Sequence, residues 1–398
     1  MTSANRRLKI LIALQYYLPH RTGVPIHIQR VAERLVERGH EVTVVAARHR
    51  LDLPRAGESI NGVKVVRLWA ALRVSRGMVM PAYPWALWFF LRTYDVVWVN
   101  TPMLETSLAA FMSRLMRRGL ISTHHGDLVL PSGAFNRFVS AFTFWHYKYM
   151  ARHAHRLIAY SQDYAEHSYY LRPYLDKVRV ISPPIVIPEP DPQAVAALRQ
   201  KWCQKGGPVL GFAGRFVREK RPDLAIRALE TVRRVHPEVR LVFAGQYNIH
   251  YEDTWEQSQD LVEAFREHLL FLGELDEAQA LANFYAACDV LVLTSDTECF
   301  ALVQVEAMLC GTPVVMTDTP GGRVPVRATG MGKIAPMGDP VGIGEAILEV
   351  LANPAAYFRP RQEIADIFNL ERTVDAYEEE LRRAAELARG GSGKKVFM

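Results

Sequence analysis

No stretch of this 398-residue sequence stays apolar for long enough to cross a bilayer. A spanning helix needs about 18–20 such residues, and the longest candidate, Val79–Leu91, is interrupted by Pro81 and Pro84. Cysteine is scarce. Cys203, Cys288, Cys299 and Cys310 all lie in the second half, and none has the paired spacing of a metal site. They read as reduced, packed thiols, which points to the cytoplasm. The apolar start, Leu8–Leu14, follows two arginines but lacks a small-residue cleavage site, and Gln15 and Pro19 break it. A first β-strand is expected there, not a signal peptide. Acidic residues are sparse in one half: residues 1–190 hold 25 Lys+Arg against 12 Asp+Glu, the remainder 23 against 30. A basic half joined to an acidic half is expected to meet something anionic, whether nucleic acid, anionic lipid or a phosphorylated acceptor. No nucleic-acid recognition motif accompanies the charge, so nucleic acid is not an expected partner.

What is present is an α/β pattern repeated twice. The length suits two domains of ordinary size. Leu8–Leu14 reads as a strand, Pro25 as the first helical position, Ile28, Val31 and Leu35 as one helix face, and Glu41–Ala46 as the next strand. Gly23 falls in the first strand-to-helix turn, where a phosphate-approaching loop needs a small residue. Further strands are expected at Val63–Leu68, Val96–Val99, Leu120–Thr123 and His155–Tyr160, with a long helix over Phe135–Ala154. The proline-rich run from Ser182 to Pro192 reads as a semi-rigid linker. The first domain is thus expected over 1–187 and the second over 193–369. The last helix, over 370–387, is followed by a tail past Gly390 that is flexible by composition.

The second domain carries the chemistry. A strand, Pro208–Phe212, runs into Gly214-Arg215 and then Lys220. The strand Val290–Leu293 leads to a loop with Asp296 and Glu298, then to a helix carrying Glu306 and stopped by Gly311. Ligands of open α/β sheets bind at such strand ends, facing helix N-termini. Carboxylates beside an anion-binding helix start fit a ligand with both hydroxyls and phosphates, such as a nucleotide sugar.

The run Glu298-Cys299-Phe300-Ala301-Leu302-Val303-Gln304-Val305-Glu306, with Gly311-Thr312-Pro313 beyond it, resembles the two-glutamate signature of the retaining glycosyltransferases of family 4. The family usually has Gly where this chain has Cys299 and Ala301. The resemblance implies a GT-B fold, two Rossmann-like doubly wound domains facing each other across a cleft, with the last helix packing back on the first domain. It implies a metal-independent hexosyltransferase that takes a nucleotide-diphosphate sugar as co-substrate and needs no other cofactor. Arg215 and Lys220 match the family's cations for the diphosphate, and Glu306 its ribose contact. Glu298 and His125, the latter just before Gly126, match the groups at the donor sugar. His124 is the second choice. The backbone of Phe300, Ala301, Leu302 and Val303 would approach sugar and phosphates, and Gly23 the donor phosphate. The residues after Gly273 would meet the base through backbone atoms. No metal is expected.

The acceptor is open: a glycan or a lipid-linked sugar. Tyr83–Phe90, rich in aromatics and followed by Arg92, reads either as a core helix of the first domain or as a surface for a membrane interface or an apolar acceptor. Arg114, Arg117 and Arg118 end the next helix and either complement its C-terminus or meet lipid. A cytoplasmic protein, peripheral at an anionic inner membrane face, is the expectation. The competing readings are a GT-B epimerase or phosphorylase, a nucleic-acid binder and a non-catalytic nucleotide-sugar binder.

Overall fold

A computed structural model describes residues 6–20, 22–74, 77–128, 133–203, 206–249 and 253–390. Arg21 and the tail beyond Gly390 lie outside the described residues. The chain forms two compact units. One holds the chain up to Pro184 together with everything from Leu370; the other is Ile185–Asn369. The division falls three residues before the end expected at 187, and Ile187 belongs with the second unit, where its carbonyl accepts from Arg361.

In the first unit the elements run β1 (Lys9–Ala13), α1 (Gly23–Glu37), β2 (Glu41–Arg48), β3 (Glu58–Ile60), β4 (Val63–Trp69), β5 (Leu72–Val74), β6 (Gly77–Val79) and α2 (Tyr83–Leu91). They continue with β7 (Val96–Thr101), α3 (Thr106–Leu115), β8 (Gly119–His124), α4 (Ala134–His153), β9 (Arg156–Ala159), α5 (Gln162–His167) and β10 (Val178–Val180). Eight strands make one sheet in the order β10-β9-β8-β7-β1-β2-β4-β3, parallel except for β3. Central strands such as β7 are buried throughout, which is why they read as unbroken apolar runs. The order reverses between β1 and β7, so right-handed crossovers put α1 on one face of the sheet and α3 and α4 on the other. The final helix, Leu370–Gly390, shares the α1 face. Its Tyr377 hydroxyl meets His27 Nε2 at 3.1 Å, and Arg38 at the end of α1 pairs with its Glu371, Asp375 and Glu378. Gly23 opens α1 two residues before Pro25, so the glycine expected in the turn is already helical and Pro25 is the third helical residue.

The second unit contains α6 (Pro192–Trp202), β11 (Val209–Ala213), α7 (Pro222–Val232), β12 (Arg240–Ala244), α8 (Thr254–Gln257), α9 (Gln259–Ala264), β13 (Leu269–Gly273) and α10 (Ala278–Ala287). β14 (Val290–Leu293), α11 (Leu302–Leu309), β15 (Val314–Thr317), α12 (Val324–Thr329), β16 (Gly332–Ala335), α13 (Pro340–Ala352) and α14 (Arg361–Ile367) complete it. Its six strands are all parallel, in the order β13-β12-β11-β14-β15-β16. This is a doubly wound sheet whose order reverses between β11 and β14. That reversal leaves a crevice at the C-terminal ends of those two strands, since their crossovers leave in opposite directions.

Candidate functional site

The loops after β11 and β14 are the ones that carry Lys220 and Glu298. Gly214 follows β11, and Gly245, which follows β12, lies beside it. A Cβ on Gly245 would lie 2.2 Å from the Gly214 carbonyl oxygen, so only glycine permits this approach. The Gly214 amide donates to Ala244, and that of Gly245 to Gly273, which ties the three strand ends together. A short 3₁₀ turn, Arg218–Lys220, then presents the lysine, and Arg221 follows in a left-handed conformation before Pro222 starts α7. The turn is fastened to the end of β14. Thr294 Oγ1 donates to the carbonyls of Lys220 (2.9 Å) and Arg221 (2.6 Å), and the Asp296 amide to that of Glu219 (2.9 Å).

Lys220 and Glu298 meet in a short ion pair through Glu298 Oε1, an oxygen that also accepts from Ser295 Oγ at 3.0 Å. The Glu298 side chain is 8% exposed and that of Lys220 22%. Burial opposes the lysine's charge, but the Glu298 carboxylate outweighs it and raises the Lys220 pKa above its ordinary value. The Glu298 backbone bridges to Gly321, whose left-handed backbone lies so close that a Cβ would meet the carbonyls of Cys299 and Glu298 at 2.6 and 2.7 Å. Gln304 Nε2 donates to the Gly322 carbonyl at 2.7 Å, clamping the β15 loop to α11.

Ala301 precedes α11 with φ 56° and ψ 78°. It adopts the left-handed region where the family usually has glycine, so the chain makes that backbone turn with a methyl group in place. Cys299 has no positive φ and does not need a glycine. Phe300 and Ala301 are buried, Phe300 against the Phe368 ring at 5.5 Å. Leu302 and Val303 are half-buried, and their first-turn amides are ones that a helix start leaves without intrahelical acceptors. One turn further, Glu306 accepts from the Tyr285 hydroxyl at 3.1 Å. Burial and that carboxylate both push the Tyr285 pKa up. Arg215 reaches Glu219 at 3.4 Å, with its side chain 39% exposed.

Thus the second unit brings Lys220 and Glu298 into contact, with Arg215 on the β11 loop and Glu306 on the helix that follows the β14 loop. Arg221, unassigned from the sequence, is tied to Asp223 and Asp296 and so serves the loops themselves. Ser295 and Tyr285, which hold the two glutamates, were not singled out by sequence reasoning. Ser295 sits in the polar loop already flagged; Tyr285 lies at the end of α10, with nothing in its neighbourhood to mark it.

Gly23 and His125 belong to the first unit. His125 follows β8 and is 8% exposed. Its Nδ1 is paired with the Tyr160 hydroxyl and its Nε2 with Asn100 Oδ1 at 2.8 Å, while Asn100 Nδ2 donates to Ala13 at 3.3 Å. Burial, with smaller contributions from His27 and His124, holds its pKa well below the ordinary histidine value, so the ring is neutral. His124 has a different task. It links Thr101 Oγ1 (2.8 Å) to Asp127 (2.9 Å), and Asp127 in turn accepts from Ser168 and the Tyr169 amide. Among the described residues there is no cluster of three or more metal-ligating side chains.

A model of glycosyl transferases group 1 matches residues 196–366, and a glycosyl transferase 4-like domain model matches 22–184. D-inositol 3-phosphate glycosyltransferase of Saccharomonospora viridis is 32% identical over 224 residues, 54% of this chain and 52% of that one. The matched stretch therefore spans about half the length of that relative. Phosphatidyl-myo-inositol mannosyltransferase of Mycobacterium leprae is 26% identical over 83% of this chain and 84% of its own. Among solved structures, Anabaena HepE in complex with UDP-glucose superposes with a TM-score of 0.75 at 20% identity, over 95% of this chain and 100% of that one. At that identity the likeness is one of fold.

Proposed function

This chain belongs to the glycosyl transferases group 1 family, of GT-B fold, and on that premise we propose that it moves a hexosyl unit from a nucleoside-diphosphate sugar to an acceptor hydroxyl with retention of configuration. The observation that carries the proposal is the Lys220–Glu298 pair at the point where the strand order of the second sheet reverses. A cation and a carboxylate fixed side by side there suit a ligand that presents phosphate and sugar hydroxyls to the same few ångströms of protein.

In the proposed reaction the bond from the sugar's anomeric carbon to the β-phosphate oxygen breaks, and the acceptor oxygen bonds to that carbon on the same face. The acceptor's proton goes to a phosphate oxygen of the departing nucleoside diphosphate. Lys220 and Arg215 stabilise the charge that develops on the diphosphate, as fixed cations do when a leaving group departs without a metal. The backbone of Phe300–Val303 faces sugar and phosphates at the start of α11, and Glu306, held by Tyr285, takes the ribose hydroxyls. Glu298 positions the sugar. For His125 and Gly23 the proposal is the role the family resemblance implies, at the sugar and at the phosphate. With its ring neutral and held at both nitrogens, His125 acts as an orienting group, not as a base.

The solved UDP-glucose complex of HepE supports a nucleoside-diphosphate sugar as donor, and the mannosyltransferase of M. leprae supports a lipid-linked acceptor. No helix among the described residues is long and apolar enough to cross a membrane. We place the protein in the cytoplasm, where it reaches such an acceptor at an anionic membrane surface. A thermal-shift panel of UDP-, GDP- and ADP-sugars tests the donor. One nucleotide sugar is expected to raise the melting temperature and, with acceptor, to lose its sugar to it. Binding by none of them overturns the reading, and an isomerised or phosphorolysed product replaces it with an epimerase or phosphorylase.

A further inference from the structure

The helical layer formed by α2, α3 and α4 covers one face of the first unit's sheet, yet its outer surface is aromatic. In α2, Tyr83, Leu87 and Leu91 are buried while Trp85 and Phe89 are 71% and 67% exposed. In α4, Val139, Thr143, Tyr147 and Met150 form the buried stripe. Phe138, Phe142 and Trp145 form a second stripe, at the same helical spacing, that is turned to solvent. Phe111 of α3 is half exposed between them. The layer is continuous, for α2 packs on α3 and α3 on α4. Ser107 and Arg114 of α3 are also hydrogen-bonded to His146 and His153 of α4. Exposed aromatics scattered singly are ordinary; seven on one layer of adjoining helices, with Trp88 of α2 among them, call for a partner.

The charges say which partner. None of the three helices contains an aspartate or glutamate, whereas Arg114, Arg137, Lys148 and Arg152 are all exposed on them. The acids of the intervening loops are turned inward. Glu105 accepts from the Met80 amide, and Asp127 is held by His124 and Ser168. Arg92, just past α2, lies over the Trp88 ring at 5.0 Å. A surface that combines large amphipathic rings with cations of one sign is what a headgroup layer selects: rings settle at the acyl boundary while lysine and arginine stay among the phosphates.

We propose that the outer face of α2, α3 and α4 is the surface by which this protein docks on an anionic lipid bilayer, with Trp85, Phe89, Phe138, Phe142 and Trp145 entering the headgroup region. The proposal rests on the membrane-surface reading of the function and says which face carries it.

The test is flotation of the full chain with vesicles of phosphatidylcholine alone or mixed with phosphatidylglycerol, read alongside the nucleotide-sugar melting shift. The wild type is expected to float with the anionic vesicles only. The triple variant Trp85→Ser/Phe89→Ser/Trp145→Ser should lower the partition coefficient by about tenfold or more at unchanged salt. Arg137→Glu/Lys148→Glu should lower it most at low ionic strength, since screened charges weaken within a Debye length of about 10 Å at 0.1 M. Both variants should keep the wild-type melting temperature and its shift with donor. Flotation unchanged in both variants places docking on another face and overturns the inference. So does wild-type protein that stays with the soluble fraction, or self-association in the ultracentrifuge that the triple variant abolishes. Loss of the donor-induced shift in the wild type is a separate failure, that of the transferase reading.

Discussion

The Lys220 ammonium donates to the same oxygen of Glu298, Oε1, that receives the Ser295 hydroxyl. The cation proposed for the diphosphate and the carboxylate proposed for the sugar therefore neutralise one another through a single atom. In the proposed complex a diphosphate at Lys220 would compete with Glu298 for the ammonium, which would free a Glu298 oxygen for a sugar hydroxyl. On the proposed roles, binding of the two halves of the donor would be coupled through this pair.

The first prediction follows from that coupling. Lys220→Ala removes a contact that strengthens as leaving-group charge develops, so kcat/KM should fall about a hundredfold, roughly 2.7 kcal/mol. It also strands Glu298 with little access to water, so the melting temperature should drop. Lys220→Ala/Glu298→Gln should recover part of that drop without recovering activity, because no unpaired carboxylate is left behind. Steady-state kinetics and thermal melts of the three proteins check this, and turnover unchanged in Lys220→Ala removes the phosphate role.

Tyr285→Phe isolates the other glutamate. The hydroxyl donates to Glu306 Oε2 from α10, outside the run that the two glutamates share. Without it the carboxylate loses one fixed hydrogen bond, a change of about 1 kcal/mol in orientation. KM for the donor should rise several-fold, with kcat nearly unchanged, because ribose contacts are made equally in ground and transition states. A fall in kcat at constant KM would place Tyr285 at the reacting bond instead.

Ala301→Gly tests the backbone at the start of α11. A left-handed alanine costs about 1–2 kcal/mol, and glycine relieves this while losing about 0.5–1 kcal/mol to the freedom of the unfolded chain. The variant should be as stable as the wild type or up to about 1.5 kcal/mol more so, with activity retained. Ala301→Val should be clearly destabilised, since a branched Cβ suits that region least. Denaturant midpoints of the two variants decide the matter, and a destabilised glycine variant contradicts the account.

These cases show which parts were legible in the sequence. Strands such as β14 were readable because burial on both faces leaves an unbroken apolar run bounded by polar loops. The pair of loops at the sheet's reversal could be found because Gly214, Lys220, Glu298 and Glu306 sit at fixed spacings along single segments. What a hydrogen bond brings in from elsewhere had no such trace: Tyr285 reaches Glu306 from a separate helix, and Thr294 fastens the Lys220 turn across the sheet. Gly23 looked like a turn residue because glycine marks turns and helix starts alike. The aromatic helix α2 was ambiguous for a different reason. Every residue from Tyr83 to Leu91 is apolar, so periodicity had no polar face from which to set a phase. The helix proves to be both core and surface, with Leu87 on one side and Trp85 on the other.

Acid stability offers a last test, one that concerns two buried rings of the first unit. His27 is buried against His125, their centroids 5.5 Å apart, and burial lowers its pKa to about 3. His125 is lowered as well, so both are neutral when folded. In the unfolded chain each takes up a proton near pH 6.5. Between that pH and the folded pKa the unfolded state binds more protons, so stability falls as the pH falls, by about 1.4 kcal/mol per pH unit for each histidine. Above pH 6.5 neither contributes a slope. His27→Phe keeps an aromatic ring in the site and removes one titration, at the cost of the Tyr377 hydrogen bond. Its stability at pH 8 should be somewhat lower than wild type, but its decline between pH 6 and pH 4 should be shallower by about one proton's worth. Chemical denaturation at fixed pH steps measures both slopes, and parallel curves for the two proteins would mean that His27 is charged in the fold.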